Sequence, residues 1–368
     1  MSMRSGLRPA LVVVGAVAVC VGCVPPGAGG VVGGASVGAP GQPSAATLAT
    51  LTRIMQQNST NCDGAIGRAT AKFNETMTTL NAKTDMAGKP LASPGTLVAQ
   101  LKAQKVDVHI DLASVQMPMP IFKDSFMAEG QKAAAGGQPA LQAFAKRSMV
   151  VQPLLTPLRT DVSAAGGALM STIDGMQNCR LWADAYAHQF VAIKRGGGEV
   201  TPEMMQILVH LSTNSKKNDG IFASSVAIIA TMQAGFAGKN PKAIDAVIAE
   251  VQKNDPTKAE SSQAEVEAKM AEIEKELPST AGAEIRGAPK PGGGGSDCAS
   301  GGGPLPAVPT VPGVNMPGVQ QAGAMACEAV QGLTALKNGD VGGALKSASK
   351  LAPPPLGPSL GAISSFFG

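Results

Sequence analysis

Aromatic side chains are scarce in this chain: they make up 3% of its 368 residues, with one Trp and one Tyr. Proteins that hold single-stranded nucleic acid stack bases on such rings, so this composition argues against that class. Charge argues the same way. The formal net charge is +4, and setting aside Arg4 and Arg8 with the N-terminal segment described below leaves 28 basic against 26 acidic residues, or +2. A polyanion would find no electrostatic footprint here, and no nucleic-acid partner is expected.

Chemistry-bearing patterns are missing as well. There is no phosphate loop, no dinucleotide glycine pattern behind a strand and no His-Glu-x-x-His. Gly34-Ala-Ser-Val-Gly38 matches the nucleophile-elbow string, but it lies in a Gly/Pro-rich stretch with neither a strand before it nor a helix after it. Of the three histidines, His188 follows Asp184 by four residues and shares its helix face, and His210 is the further side chain offered to a weak metal site with them. A surface Asp–His pair is the simpler reading, and His109 has no visible companion. Glu265, Glu267, Glu272, Glu274 and Glu276 offer carboxylate pairs, but on an exposed helix they lack the burial that raises a pKa. The expectation is a non-enzymatic protein without a cofactor.

What is present begins at the N-terminus. Arg4 and Arg8 precede residues 10–22, a Val- and Ala-rich stretch without charge. A short basic region followed by an apolar run of this length reads as a secretory signal, too short to cross a bilayer comfortably. Cys20-Val-Gly-Cys23 closes that run, whereas a redox Cys-x-x-Cys opens a helix after a strand. Val21-Gly22-Cys23 resembles the lipobox of bacterial lipoproteins, with Cys20 standing where the family carries Leu or a similar aliphatic residue. The resemblance covers the first two dozen residues. It implies cleavage before Cys23, diacylglycerol on its sulfur, acylation of the new amine and, with Val24 rather than Asp next, sorting to an outer membrane where the cell has one. Residues 23–44 carry no charge and read as a flexible tether, which would span about 25 Å as a coil.

Residues 45–86 read as one long helix, with Leu48, Leu51, Met55, Cys62, Ala65, Ala69, Phe73 and Leu80 along one face. A second is expected to start at Thr156-Pro157, a cap followed by Pro at the first helical position, and to end at Gly196-Gly197-Gly198. Its stripe includes Val162, Ala165, Leu169, Cys179, Ala183, Tyr186 and Phe190. Cys62 and Cys179 each fall near the middle of a stripe, close to Gly64, Gly67 and Gly175, so a disulfide between them is expected, with the small residues permitting close approach. Cys298 and Cys327 are left to pair with each other in an oxidising compartment.

Between the long helices, residues 106–112 alternate like a strand without a visible partner, Pro118 and Pro120 enforce a loop, and residues 122–151 read as helix broken at Gly136-Gly137. Thr201-Pro202, Asn240-Pro241 and Asp255-Pro256 announce further helices. Residues 220–238 form an uncharged run of nearly spanning length, expected as a helix buried on all sides, with a membrane-inserting helix as the alternative. Residues 333–350 resemble the turn of a tetratricopeptide repeat, but one unit cannot form that solenoid, and a generic hairpin is expected.

The expected architecture is therefore all-α, an elongated bundle of long antiparallel helices. Its segments are a signal peptide (1–22), an anchored tether (23–44), the bundle (45–277), a Gly/Pro-rich linker (278–318) and a C-terminal helical module (319–368). The expected role is a lipid-anchored envelope scaffold, adaptor or binding component with a protein partner, facing the periplasm or the cell surface. The alternatives are membrane insertion through residues 220–238 and a metal-dependent enzyme at Asp184, His188 and His210. Metabolic labelling with a fatty-acid analogue tests the anchor: Cys23→Ala should abolish the label, while label that persists, or that is lost only with Cys20→Ala, refutes the assignment.

Overall fold

A computed structural model describes residues 43–82, 84, 88–114, 117–276, 329–352 and 356–364. The chain divides into two compact units, Met1–Pro40 and Gly41–Gly368. The first, with Cys23, lies outside the described residues, as do the expected linker, Cys298 and Cys327.

The fold is all-α with one small hairpin. Helix α1 (Ala45–Leu80) starts at Ser44, whose Oγ accepts from the Thr47 amide at 3.1 Å. Its stripe is buried from Leu51 to Leu80. It ends short of residue 86 because Asn81 caps it, the side-chain amide donating to the Met77 carbonyl at 2.7 Å. Helix α2 (Pro94–Ala103) follows, capped by Ser93.

The alternating stretch does find a partner. Strand β1 (Val108–Leu112) pairs antiparallel with β2 (Pro120–Asp124), in the register Val108↔Asp124, Ile110↔Phe122, Leu112↔Pro120. Pro120 is the first residue of its strand, a position where a missing N–H is tolerated, and this is why the sequence read there as loop. The buried face of β1 lies on the bundle, and the Ile110 carbonyl accepts from Gln233 Nε2 at 3.2 Å.

Helix α3 (Phe126–Ala135) breaks from α4 (Gly137–Gly175) at Gly136-Gly137, as expected; Gly137 has φ +77°, the left-handed region that favours glycine. Helix α4 does not start at Thr156-Pro157. It runs through Pro153 and Pro157 and continues by a π turn (Met176–Arg180) into α5 (Leu181–Arg195), one rod of 59 residues. At 1.5 Å per residue it is roughly 90 Å long. Two prolines four apart remove the donors to the carbonyls of Met149 and Pro153, but both residues are exposed and water can serve those carbonyls. On the other face Val151, Leu155, Leu158 and Val162 are fully buried, so packing carries the helix across.

Helix α6 (Pro202–Phe236) begins at the Thr201 cap and absorbs the uncharged run into one central helix, against which α1, α4 and α5 pack. Helix α7 (Lys242–Lys253) follows. Asp255-Pro256 opens only a 3-10 turn (Pro256–Lys258). The next helix, α8 (Gln263–Glu276), starts instead at a capping box. There the Glu265 amide donates to Ser262 Oγ at 3.2 Å, and the Ser262 amide donates to Glu265 Oε2 at 3.0 Å.

Helices α9 (329–337), α10 (Val341–Leu351) and α11 (Leu356–Ser364) complete the described chain. They do not stand apart as a module. Helix α10 lies along α6, and α11 touches α7. Helices this short cannot bury a stripe alone, and Leu336, Leu345 and Leu360 become fully buried on the bundle.

Ile228, in the middle of α6, is 1% exposed. Ile228→Asp would place an unpaired charge in that core at a cost above about 4 kcal/mol, a large share of the ~5–15 kcal/mol that holds a domain folded. Thermal unfolding of the variant should lose its cooperative transition, whereas Met149→Asp, on an exposed surface, should change stability by no more than about 0.5 kcal/mol.

Candidate functional site

Two features of the body bear on function: a polar layer inside it and an apolar surface outside it. The layer is organised by the π turn. In that wider turn the Leu181 amide reaches back to the Met176 carbonyl, so the residues beyond it face another direction than an unbroken helix would give them. Cys179 meets Cys62 of α1 in a disulfide with Cα atoms 4.8 Å apart, both residues fully buried.

The glycines near that bond divide in role. A Cβ on Gly67 would meet nothing within 4 Å, and one on Gly64 only the flexible end of Arg68 at 3.6 Å. Neither is needed for the approach of α1. Gly175 is needed, but for α6: its Cβ would fall 1.9 Å from Asn218 Oδ1. Asn218 sits fully buried there and donates to the Thr172 carbonyl at 3.0 Å.

Arg180, next in the turn, pairs with Asp219 of α6 at 3.1 Å, and both side chains are largely buried. Burial pushes the Asp219 carboxyl up to about 6, against the opposing pull of Arg180, and the neighbouring charge of Asp184 adds to the rise. Asp184 itself accepts from Lys269 of α8. Asn58 of α1 donates to the Tyr186 hydroxyl at 2.7 Å, and burial raises that phenol to about 12. These bonds tie α1, α5, α6 and α8 together. They pair Arg180 with Asp219, Lys269 with Asp184 and Asn58 with Tyr186 across helices that are distant in sequence.

The weak metal candidates are not gathered. Asp184 is committed to Lys269, and His188 Nδ1 donates to the Asp184 backbone carbonyl at 2.9 Å. His210 turns to Asp63 of α1, at 2.6 Å, where Asn214 also donates to Asp63 at 2.8 Å. Among the described residues no three His, Cys, Asp or Glu side chains form a group able to hold a metal ion. Among the described residues the helix that carries the uncharged run is the one long and apolar enough to cross a membrane, yet from Gly220 to Phe236 every residue but half-buried Gln233 is buried.

The outer feature was not foreseen. The large apolar side chains most exposed on the described surface are Met117, Met119, Ile121, Met127, Leu141, Met149 and Val150, all within one stretch of 34 residues. This stretch makes the outer edge of the hairpin, α3 and the first turns of α4. Helices α3 and α4 run antiparallel here as a short arm. Phe126 stacks on Phe144 with centroids 4.7 Å apart, and Arg147 bridges to Glu129 at 3.0 Å. No residue from 137 to 150 is buried. Arg159 holds the base of the hairpin, pairing with Asp124 at 2.5 Å and lying 5.7 Å from the centre of the Phe122 ring.

One buried acid stands outside both features. Asp161 of α4 is 6% exposed and has neither an ion pair nor a hydrogen bond. Burial alone pushes its carboxyl up to about 7.

No protein-family model, curated protein or solved structure matches the chain.

The Asp161 carboxyl gives a pH signature with a definite sign. Its folded value, about 7, lies above the ordinary value of 3.8, so between these the native state holds the proton that the unfolded chain has lost. Stability then falls as pH rises from about 4 to about 7 and levels off above, by at most ~4 kcal/mol at 1.36 kcal/mol per pH unit. Asp161→Asn removes the penalty. Urea unfolding should show the variant more stable than the parent at pH 8 and nearly equal to it at pH 4; the same difference at both values would refute the assignment.

Proposed function

We propose that the protein is a non-enzymatic scaffold or adaptor of the cell envelope. It is held at a membrane by acylation of Cys23, and it engages a protein partner through the hairpin edge and the base of the α3–α4 arm. The observation that carries this reading is the confinement of exposed Met117, Met119, Ile121, Met127, Met149 and Val150 to that one region. Concentrated exposed apolar surface is characteristic of interaction sites. Methionine suits such a role because its unbranched, polarizable side chain adapts to the contour it meets.

The remainder of the body supports the reading by its closure. Its long helices are joined by a disulfide, the charges of the polar layer at Arg180, Asp219, Asp184 and Lys269 are paired, and its apolar run is consumed by the core. That burial favours an adaptor over a protein that sends residues 220–238 into a membrane. The resemblance of Val21-Gly22-Cys23 to a lipobox supplies the anchor, and the tether of residues 23–44 gives the body room to turn toward a partner.

In-cell photo-crosslinking tests the surface. A photoreactive residue at Met149 should yield a discrete protein adduct, and the same residue at exposed Glu272 on α8 should not. Equal adduct patterns at the two positions, or none at Met149, would overturn the assignment.

A further inference from the structure

The tip of the arm differs in chemistry from its base. Residues 133–145 carry no charge, and Lys132 and Lys146 flank them. From Gly130 to Thr160 there is no acidic residue at all. The other two cations of this stretch are already matched, Arg147 by Glu129 and Arg159 by Asp124. The ammonium groups of Lys132 and Lys146 are exposed and take part in no ion pair or hydrogen bond among the described residues. Residues 134–143 are exposed apart from half-buried Ala140, and Leu141 is 40% exposed among alanines and glycines.

The register of the two helices fixes where these groups lie. Gly130 faces Phe144, where an added Cβ would come within 3.0 Å of the ring, and Gly136 faces Ala140 across the turn. The uncharged residues therefore form the far end, with Lys132 and Lys146 further back along the two helices. Ten residues of α3 make an arm of about 15 Å, comparable to the ~5–10 Å depth of a bilayer's headgroup and acyl boundary plus a margin for the body.

We infer that the arm tip rests on a lipid bilayer with anionic headgroups, Leu141 and the neighbouring alanines entering the boundary while Lys132 and Lys146 meet the headgroup charge. A protein surface would require no such absence of acids beyond Glu129, the one carboxylate on α3 and already neutralised by Arg147, whereas a negatively charged lipid surface repels every unpaired carboxylate brought to it. Each basic residue near such a surface contributes about 1 kcal/mol. The two lysines together then amount to roughly a thirtyfold change in partitioning, a weak contact that serves as a second signal beside a lipid chain. The inference does not depend on the acylation of Cys23 or on the protein partner at the base of the arm.

The test uses the full chain carrying Cys23→Ala, with Trp182→Phe to remove the native tryptophan and Leu141→Trp as the reporter. Vesicles of phosphatidylcholine alone are compared with vesicles containing phosphatidylglycerol. The reporter should shift to shorter wavelength and be quenched by brominated lipid only with the anionic vesicles, and 1 M salt should reverse both effects, because the Debye length there is only about 3 Å. Adding Lys132→Glu and Lys146→Glu should lower the reporter's partitioning at least thirtyfold while leaving the circular-dichroism melt unchanged. The N-terminal segment is common to all these chains, so differences between the variants and between the two kinds of vesicle report the arm. An emission unchanged by any vesicle, an equal shift with neutral vesicles, or a shift produced only by an added protein partner would overturn the inference.

Discussion

An α-helix turns about 100° per residue, so a rod of 59 residues presents the same face to its neighbours only where nothing resets it. The π turn at Met176–Arg180 is that reset, and three contacts lock it. Cys179 is bonded to α1, Gly175 admits Asn218 of α6 against the backbone, and Arg180 reaches Asp219 of α6. Below the turn the rod shares its stripe with α1 and carries the hairpin; beyond it, α5 is enclosed by α6 and α8. Replacing any of the three contacts would disturb the angle at which the long helices meet, and with it the burial of the central run on α6.

Much of this frame was legible because it depends on periodicity and caps. The stripes of α1 and α5, the Thr201 cap and the Cys62–Cys179 bond each follow from local spacing. The misreadings share a cause, which is packing that overrides a local signal. Pro157 looked like a helix start, but Leu155, Leu158 and Val162 carry the helix past it. Pro120 hid a strand that exists because Ile110 and Leu112 need an inner partner. Asp255-Pro256 masked the true box at Ser262 and Glu265, since both read as valid caps and only the tertiary fit selects between them.

The exposed apolar surface was the least legible part. Met127, Leu141, Met149 and Val150 are apolar residues within helical sequence, and nothing in their spacing says that the helix pair bearing them has left the bundle. The available clue was negative: no acidic residue between Glu129 and Asp161, and abundant Ala and Gly that give little to bury. Arg180 and Asp219 were equally hidden, because a buried pair is defined by two helices far apart in sequence. Only the position of Arg180 beside a stripe cysteine hinted at it.

The disulfide has a topological consequence. It spans 117 residues, and the hairpin and the whole α3–α4 arm lie inside that span. The most exposed large apolar side chains among the described residues are thus borne on a covalently closed ring. A protease that nicks the arm opens the ring without dividing the protein, so the two fragments stay joined and the remaining helices keep their effective concentration for one another. The exposed arm can be cut while the frame that carries it survives.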